Sequence, residues 1–320
     1  MKFFRGGENR SVNTFEEHPS ENESRFIKVE KEPEPKVVFS IDLARHSVKG
    51  KKDNREPLTE EGILKAVEAG KTSPLGKETK IKAVKGEPLE IYGSPRERTG
   101  QSALSRMLAE QLAEAGFENF DPEDMVKWLE GSGVEKTESP LLDFQVGEGE
   151  YKDALMADFK RNEFMKFIAE KSDEFAIRTK QNPNKVTTYS QQAGNVAAFL
   201  LVLGNKKTHE MMVAGDKTAD FAFAASHMTV LESFLHKVIS LKEGQVAADK
   251  FLEEDLKNNG FRENQGFIVN YESFGNEPEE MRLVIKYQDN EIKLGYKELI
   301  GIIQQGIDYT TKLEEEFEKE

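Results

Sequence analysis

The sequence predicts an α/β fold: a three-layer α/β/α sandwich on a mostly parallel central sheet, with an inserted helical cap. Two observations carry that reading. Apolar runs at 37–43 (Val-Val-Phe-Ser-Ile-Asp-Leu) and 219–225 (Ala-Asp-Phe-Ala-Phe-Ala-Ala) are nearly unbroken, as in strands buried on both faces. Stretches with helical periodicity separate these runs from the other strand candidates, the alternation that an α/β sandwich requires. With 320 residues, of which 37% are hydrophobic and 21 are Phe, the chain can build one large domain of this kind or two ordinary ones.

In chain order, 1–36 is rich in Glu, Asn, Ser and Lys and holds Pro33 and Pro35. Too few apolar groups are present there to offset the entropy of ordering, so a flexible N-terminal tail is expected, with the folded domain at 37–320. The strand at 37–43 leads into a polar, basic loop, 47–57, with Lys49, Lys51, Lys52 and Arg55. Thr59 suits an N-cap, Glu60 and Glu61 the first helical turn, and Ile63, Leu64 and Val67 an apolar stripe. A second strand at 89–92 ends at Gly93-Ser94-Pro95. A helix over 96–115 follows, with Ala103, Leu104, Met107, Leu108 and Leu112 at helical spacing.

The segment at about 117–184 reads as a cap-like insertion over the strand ends. It is irregular at 117–139, with a short helical piece at 124–129, then helical over 154–177 with Phe159, Phe164, Phe167 and Ile168 inward. Helices are expected at 186–203, at 229–239 behind the second key strand, and at 246–258. The C-terminal part, 266–320, reads as strands at 266–271 and 281–287, a hairpin turned by Asp289-Asn290 into 291–294, and an acidic helix. There is no internal repeat.

The net charge of −14 argues against a general nucleic-acid or anionic-membrane surface, so an anionic ligand would need a local basic pocket. The absence of Cys excludes disulfides, thiolate zinc sites and Cys nucleophiles. The start, Met1-Lys2-Phe3-Phe4-Arg5, has no apolar signal region, and no run is long enough to span a bilayer. A cytoplasmic protein is the expectation.

The chemistry concentrates at the two strand ends. Arg45-His46-Ser47 follows the first apolar run, and Ser226-His227-Met228 follows the second. Open α/β sheets bind ligands beyond the carboxyl ends of strands where strand order switches. Two imidazoles and a guanidinium over one crevice would suit a doubly charged anion such as a phosphoryl group.

Four pieces in order carry a resemblance: Arg45-His46-Ser47, Pro57-Leu58-Thr59-Glu60-Glu61-Gly62, Ser94-Pro95-Arg96-Glu97-Arg98-Thr99-Gly100-Gln101-Ser102-Ala103, and Ala225-Ser226-His227. Together they resemble the signatures of the histidine phosphatase superfamily, also called phosphoglycerate-mutase-like, over about 37–239. Ser47 stands where the family usually has Gly, and Met228 where it has a small residue. Asn54 aligns with the family's Asn only across a gap, and Lys49 falls where the acid-phosphatase branch carries Arg.

The resemblance implies a metal-independent phosphomonoester hydrolase that needs no cofactor, acts on a small phosphorylated substrate, and uses His46 as the nucleophile of a phosphohistidine intermediate. Arg45 and Arg98 would grip phosphoryl oxygens, with Ser47 and Asn54 as further phosphate contacts and His227 stabilising the moving charge. Arg96 competes with Arg98 for its role, but the spacing to Gln101 and Ala103 favours Arg98. Asp143, in a segment similar to the mutase branch's Glu-x-x-x-Gly, is the first choice of proton donor, with Glu148 and Glu150 as alternatives. A phosphoglycerate-mutase-type phosphotransferase and a non-catalytic phosphoryl-binding scaffold are the other readings. His18, His209 and His236 are expected at the surface or in packing.

Overall fold

Residues 36–50, 56–76, 78–79, 89–114, 131, 134–214, 220–275 and 277–319 are described by the computed structural model. They belong to one unit, Pro35–Glu320. The expected N-terminal tail up to residue 35, the helical piece at 124–129, Asn54, Lys51, Lys52 and Arg55 lie outside the described residues, and Lys36, placed in that tail by the sequence, opens the first strand.

The fold is a mixed α/β structure on a seven-stranded sheet: β1 Lys36–Arg45, β2 Glu90–Gly93, β3 Glu135–Glu138, β4 Asp220–Ser226, β5 Gly266–Ser273, β6 Met281–Tyr287 and β7 Asn290–Gly295, in the order β3-β2-β4-β1-β5-β6-β7. The β3–β2, β2–β4 and β4–β1 pairings are parallel; β1–β5, β5–β6 and β6–β7 are antiparallel. The sheet is therefore half parallel, not mostly so. The reason is in the connections: β6 and β7 are joined by two residues, Gln288 (φ 52°) and Asp289, which can link only antiparallel neighbours. That turn lies one residue earlier than the sequence suggests.

The helices are α1 Glu60–Thr72, α2 Glu97–Met107, α3 Ala109–Glu114, α4 Gly149–Lys160, α5 Phe164–Arg178, α6 Tyr189–Ala214, α7 Val230–Glu243, α8 Gln245–Lys250 and α9 Tyr296–Phe317. Thr59 caps α1 as expected, its hydroxyl accepting from the Gly62 amide at 3.0 Å. The helix expected over 154–177 is two helices, α4 and α5, broken at Asn162 (φ 59°). Phe159, in α4, is 42% exposed, contrary to the inward position its spacing suggests. Glu135–Glu138, read as irregular, is the edge strand β3. Its Glu-Lys-Thr-Glu sequence has no apolar alternation, and charged side chains suit an edge.

Successive β4 residues alternate between two hydrophobic clusters. Ala222 and Ala224 pack with Phe39, Ile41 and Leu43 of β1 and with α4 to α9; Phe221, Phe223 and Ala225 pack with α1, α2 and α3. Both faces of β1 and β4 are thus covered, and the carboxyl ends of these two strands are held in register, Arg45 opposite Ser226. No helix among the described residues is long and apolar enough to cross a membrane.

Candidate active site

His46 and His227 leave the ends of adjacent strands, and the His46 amide donates to the Ser226 carbonyl at 2.9 Å. Their rings lie edge to face with centroids 5.3 Å apart, and both side chains are buried. Arg98, from the first turn of α2, bridges them. Its Nε donates to His46 Nε2 at 3.1 Å, its Nη2 to His227 Nδ1 at 3.3 Å, and its Nη1 pairs with Glu56.

These partners assign the ring protons. His46 Nδ1 is 2.7 Å from the Ser47 carbonyl oxygen, which can only accept, so Nδ1 carries the hydrogen and Nε2 presents a lone pair. Burial is the main force lowering the His46 pKa, to about 3; the Ser47 bond opposes it, and His227, Arg98 and Arg45 add to the lowering. On His227, Nδ1 accepts from Arg98, so Nε2 carries the proton toward Ser94 Oγ at 2.7 Å and Asp143 Oδ1 at 3.2 Å. Burial lowers its pKa as well, against the Asp143 bond.

Asp143 follows the 3₁₀ turn Pro140–Leu142, which is tied to β4 by the Ser226 hydroxyl donating to the Leu142 carbonyl at 2.7 Å. Its Oδ1 also accepts from Arg96 Nε at 3.2 Å, and its Oδ2 from Gln145 Nε2 at 2.8 Å. Burial would raise this carboxyl, but the His227 bond, the Phe144 amide and Arg96 outweigh burial and hold its pKa at about 2. Glu148 is exposed and paired with Lys185 at 3.0 Å, and Glu150 is exposed; neither lines the cleft.

Arg45 is held from the opposite side. Its guanidinium donates to the Phe261 carbonyl, while the Phe261 amide donates to Glu232 Oε1 at 2.7 Å. Glu232 is fully buried, and burial raises its pKa although its amide bonds and Arg45 work against the rise. Ser47 is buried; its hydroxyl accepts from Asn264 Nδ2 at 2.9 Å and its amide donates to Ser102 Oγ at 3.1 Å. Gln101 Oε1 accepts from the Leu58 amide at 2.8 Å, so α2 fixes the Pro57-Leu58-Thr59 stretch as well as Arg98.

His46, His227, Arg45, Arg98 and Ser47 thus line one cleft of about 580 Å³, and Asp143 meets it through His227 and Arg96. Glu56, Glu232, Phe261 and Asn264 were not legible as site residues: nothing in their local sequence marks them, and the last three come from segments that only folding brings to Arg45 and Ser47. His236 packs against Tyr189, its Nδ1 2.8 Å from the phenol oxygen, and His209 is exposed. Among the described residues no group of three or more His, Cys, Asp or Glu side chains could hold a metal ion.

No family model matches the chain, and no curated protein matches it. Solved structures to which it is similar include a mycobacterial hydrolase, with 14% identity, 79% of this chain and 99% of that one covered and a TM-score of 0.45. A mycobacterial glucosyl-3-phosphoglycerate phosphatase shares 14% identity over 78% of this chain and 97% of its own, with a TM-score of 0.41. A phosphoserine phosphatase from Entamoeba histolytica, solved with 3-phosphoglyceric acid, shares 15% identity over 73% of this chain and 90% of its own, with a TM-score of 0.32.

Proposed function

We propose that the chain is a phosphomonoester hydrolase of the histidine phosphatase type, working through a phosphohistidine on His46. The observation that carries this is the His46 ring: Nδ1 pinned on the Ser47 carbonyl, and a neutral Nε2 facing Arg98 and His227. A buried imidazole whose pKa is lowered to about 3 is an available nucleophile at any ordinary pH.

In the proposed reaction the monoanionic phosphoryl group of the ester displaces Glu56 from Arg98 and is held by Arg45, Arg98 and His227, with Ser47 and Asn54 as further contacts. His46 Nε2 attacks phosphorus as the bond to the ester oxygen breaks, and the electron pair leaves with that oxygen, which takes a proton from Asp143. Water then attacks the phosphohistidine, Asp143 takes a proton from it, the P–N bond breaks and orthophosphate leaves. The guanidiniums supply the charge neutralisation, so the scheme needs no metal. Asp143 is ionised in the free protein, so the substrate brings the proton and passes it to Asp143, whose pKa the bound anion raises.

A phosphotransferase would have to hold a second hydroxyl or anion beside the donor. The wall next to the imidazoles is instead built from Phe144, Phe164 and Met228, which favours water as acceptor. Incubation with p-nitrophenyl phosphate tests the reading. Turnover should fall at least about a thousandfold in His46→Ala, and acid-labile label should appear on His46 after rapid quenching. Undiminished turnover in that variant would overturn the nucleophile assignment, and phosphate binding without turnover on a broad panel would favour a scaffold.

A further inference from the structure

The cleft has two chemically different halves. The floor is cationic, while one wall is made of Phe144, Val146, Met156, Phe159 and Phe164, with Met228 beside His227. Three of these are among the large hydrophobic side chains left in solvent: Phe159 at 42%, Val146 at 39% and Met156 at 37% exposed. The aromatic members touch one another. The rings of Phe144 and Phe164 meet edge to face at 5.9 Å, and those of Phe164 and Phe159 at 5.4 Å. This ladder starts one residue from Asp143 and runs outward to the exposed ring of Phe159.

Several polar side chains along the same cleft are already engaged. Gln145 Nε2 donates to Asp143, Arg96 pairs with Asp143, and Lys49 pairs with Glu56 at 2.9 Å. Glu263 also lines the cleft and disfavours a second negative charge there. A polyhydroxylated leaving group would leave the apolar wall uncovered, whereas an apolar one would cover its exposed carbon.

We propose that the aromatic wall is the leaving-group subsite and that the substrates are small phosphomonoesters of an aromatic or bulky apolar alcohol. This rests on the hydrolase reading and specifies its substrate. A ring placed against Phe159 and Phe164 gains both area burial and edge-to-face contact, while the phosphoryl group stays on Arg45, Arg98 and His227.

Two substrates that both release a primary alcohol separate this subsite from leaving-group chemistry: 2-naphthylmethyl phosphate and glycerol 3-phosphate. The naphthylmethyl ester should have a kcat/KM at least about tenfold higher, carried mainly by KM. Phe159→Ala should lower kcat/KM for the naphthylmethyl ester by about tenfold more than for glycerol 3-phosphate. Calorimetry with 2-naphthylmethylphosphonate, which cannot be hydrolysed, gives a readout independent of turnover and should show the same dependence on Phe159. Equal kcat/KM for the two esters, equal losses in the variant, or turnover confined to a phosphotyrosine peptide would overturn the substrate class and leave the hydrolase standing. Phe159-dependent phosphonate binding with no turnover of either ester would support the subsite and overturn the hydrolase. Failure of the phosphonate and of orthophosphate to bind would overturn both.

Discussion

Asp143 carries an ionised carboxylate into the resting site, its pKa held at about 2 by His227, the Phe144 amide and Arg96 against the pull of burial. The proton that the leaving oxygen needs must therefore arrive with the substrate, whose second phosphate ionisation lies near pH 6. The expected pH profile follows: kcat/KM for an alkyl phosphate falls toward tenfold per unit as pH rises above about 6. Steady-state rates across pH 5 to 8 check this, and a flat profile would contradict it. Asp143→Asn should lower kcat/KM by about 10² to 10⁴ for alkyl esters but far less for p-nitrophenyl phosphate, whose leaving oxygen needs little protonation. A structural role would lower both alike. Glu56 is the other residue with a consequence. It occupies Arg98 Nη1 when no substrate is present, so Glu56→Gln should tighten orthophosphate binding several-fold by removing a competing charge.

At the scale of elements, the loop after β1 is held in place by close backbone approach. A Cβ on Gly62 would come within 2.1 Å of the Val48 carbonyl oxygen, two residues from His46, and the Thr59 amide donates to that same oxygen at 3.0 Å. Neither partner is a flexible side-chain end, so α1 or the loop must move. Gly62→Ala is expected to cost roughly 1–3 kcal/mol and to lower kcat/KM, read from the denaturation midpoint and from turnover together. An unchanged midpoint would mean that the loop yields without cost. On the other strand, Thr229 adopts φ 74° between His227 and α7, a left-handed backbone that β-branched residues rarely tolerate. It shows how sharply the chain must turn to bring α7 and the fully buried Glu232 behind the site. The break at Asn162 divides the two helices that supply Phe159 and Phe164 to the cleft.

For the molecule as a whole, the buried imidazoles tie stability to pH. The His46 pKa falls from 6.5 in the unfolded chain to about 3 in the fold, so its neutral form is stabilised fully above pH 6.5, and that advantage is lost progressively as pH falls toward 3. His236, lowered to about 4 by burial, acts in the same direction. Stability should decline by up to about 1.4 kcal/mol per pH unit from His46 alone, and His46→Asn, which cannot be protonated, should flatten the acid limb of urea unfolding between pH 6.5 and 4. An unaltered limb would show that His46 is solvated and not desolvated.

Much of this molecule is determined by local sequence. Unbroken apolar runs can only be covered strands, so β1 and β4 were readable, and so were the residues at their ends: Arg45, His46, Ser226 and His227. The Thr59 cap was readable because its partner, the Gly62 amide, lies only three residues away. What the tertiary structure alone decided are contacts between groups far apart in the chain. Glu56 on Arg98, Glu232 and Phe261 around Arg45, and the aromatic wall from two helices and a turn depend on where loops and broken helices finally lie. Periodicity encodes which face of an element is buried but not which distant surface it meets; that is chosen by packing summed over the whole fold.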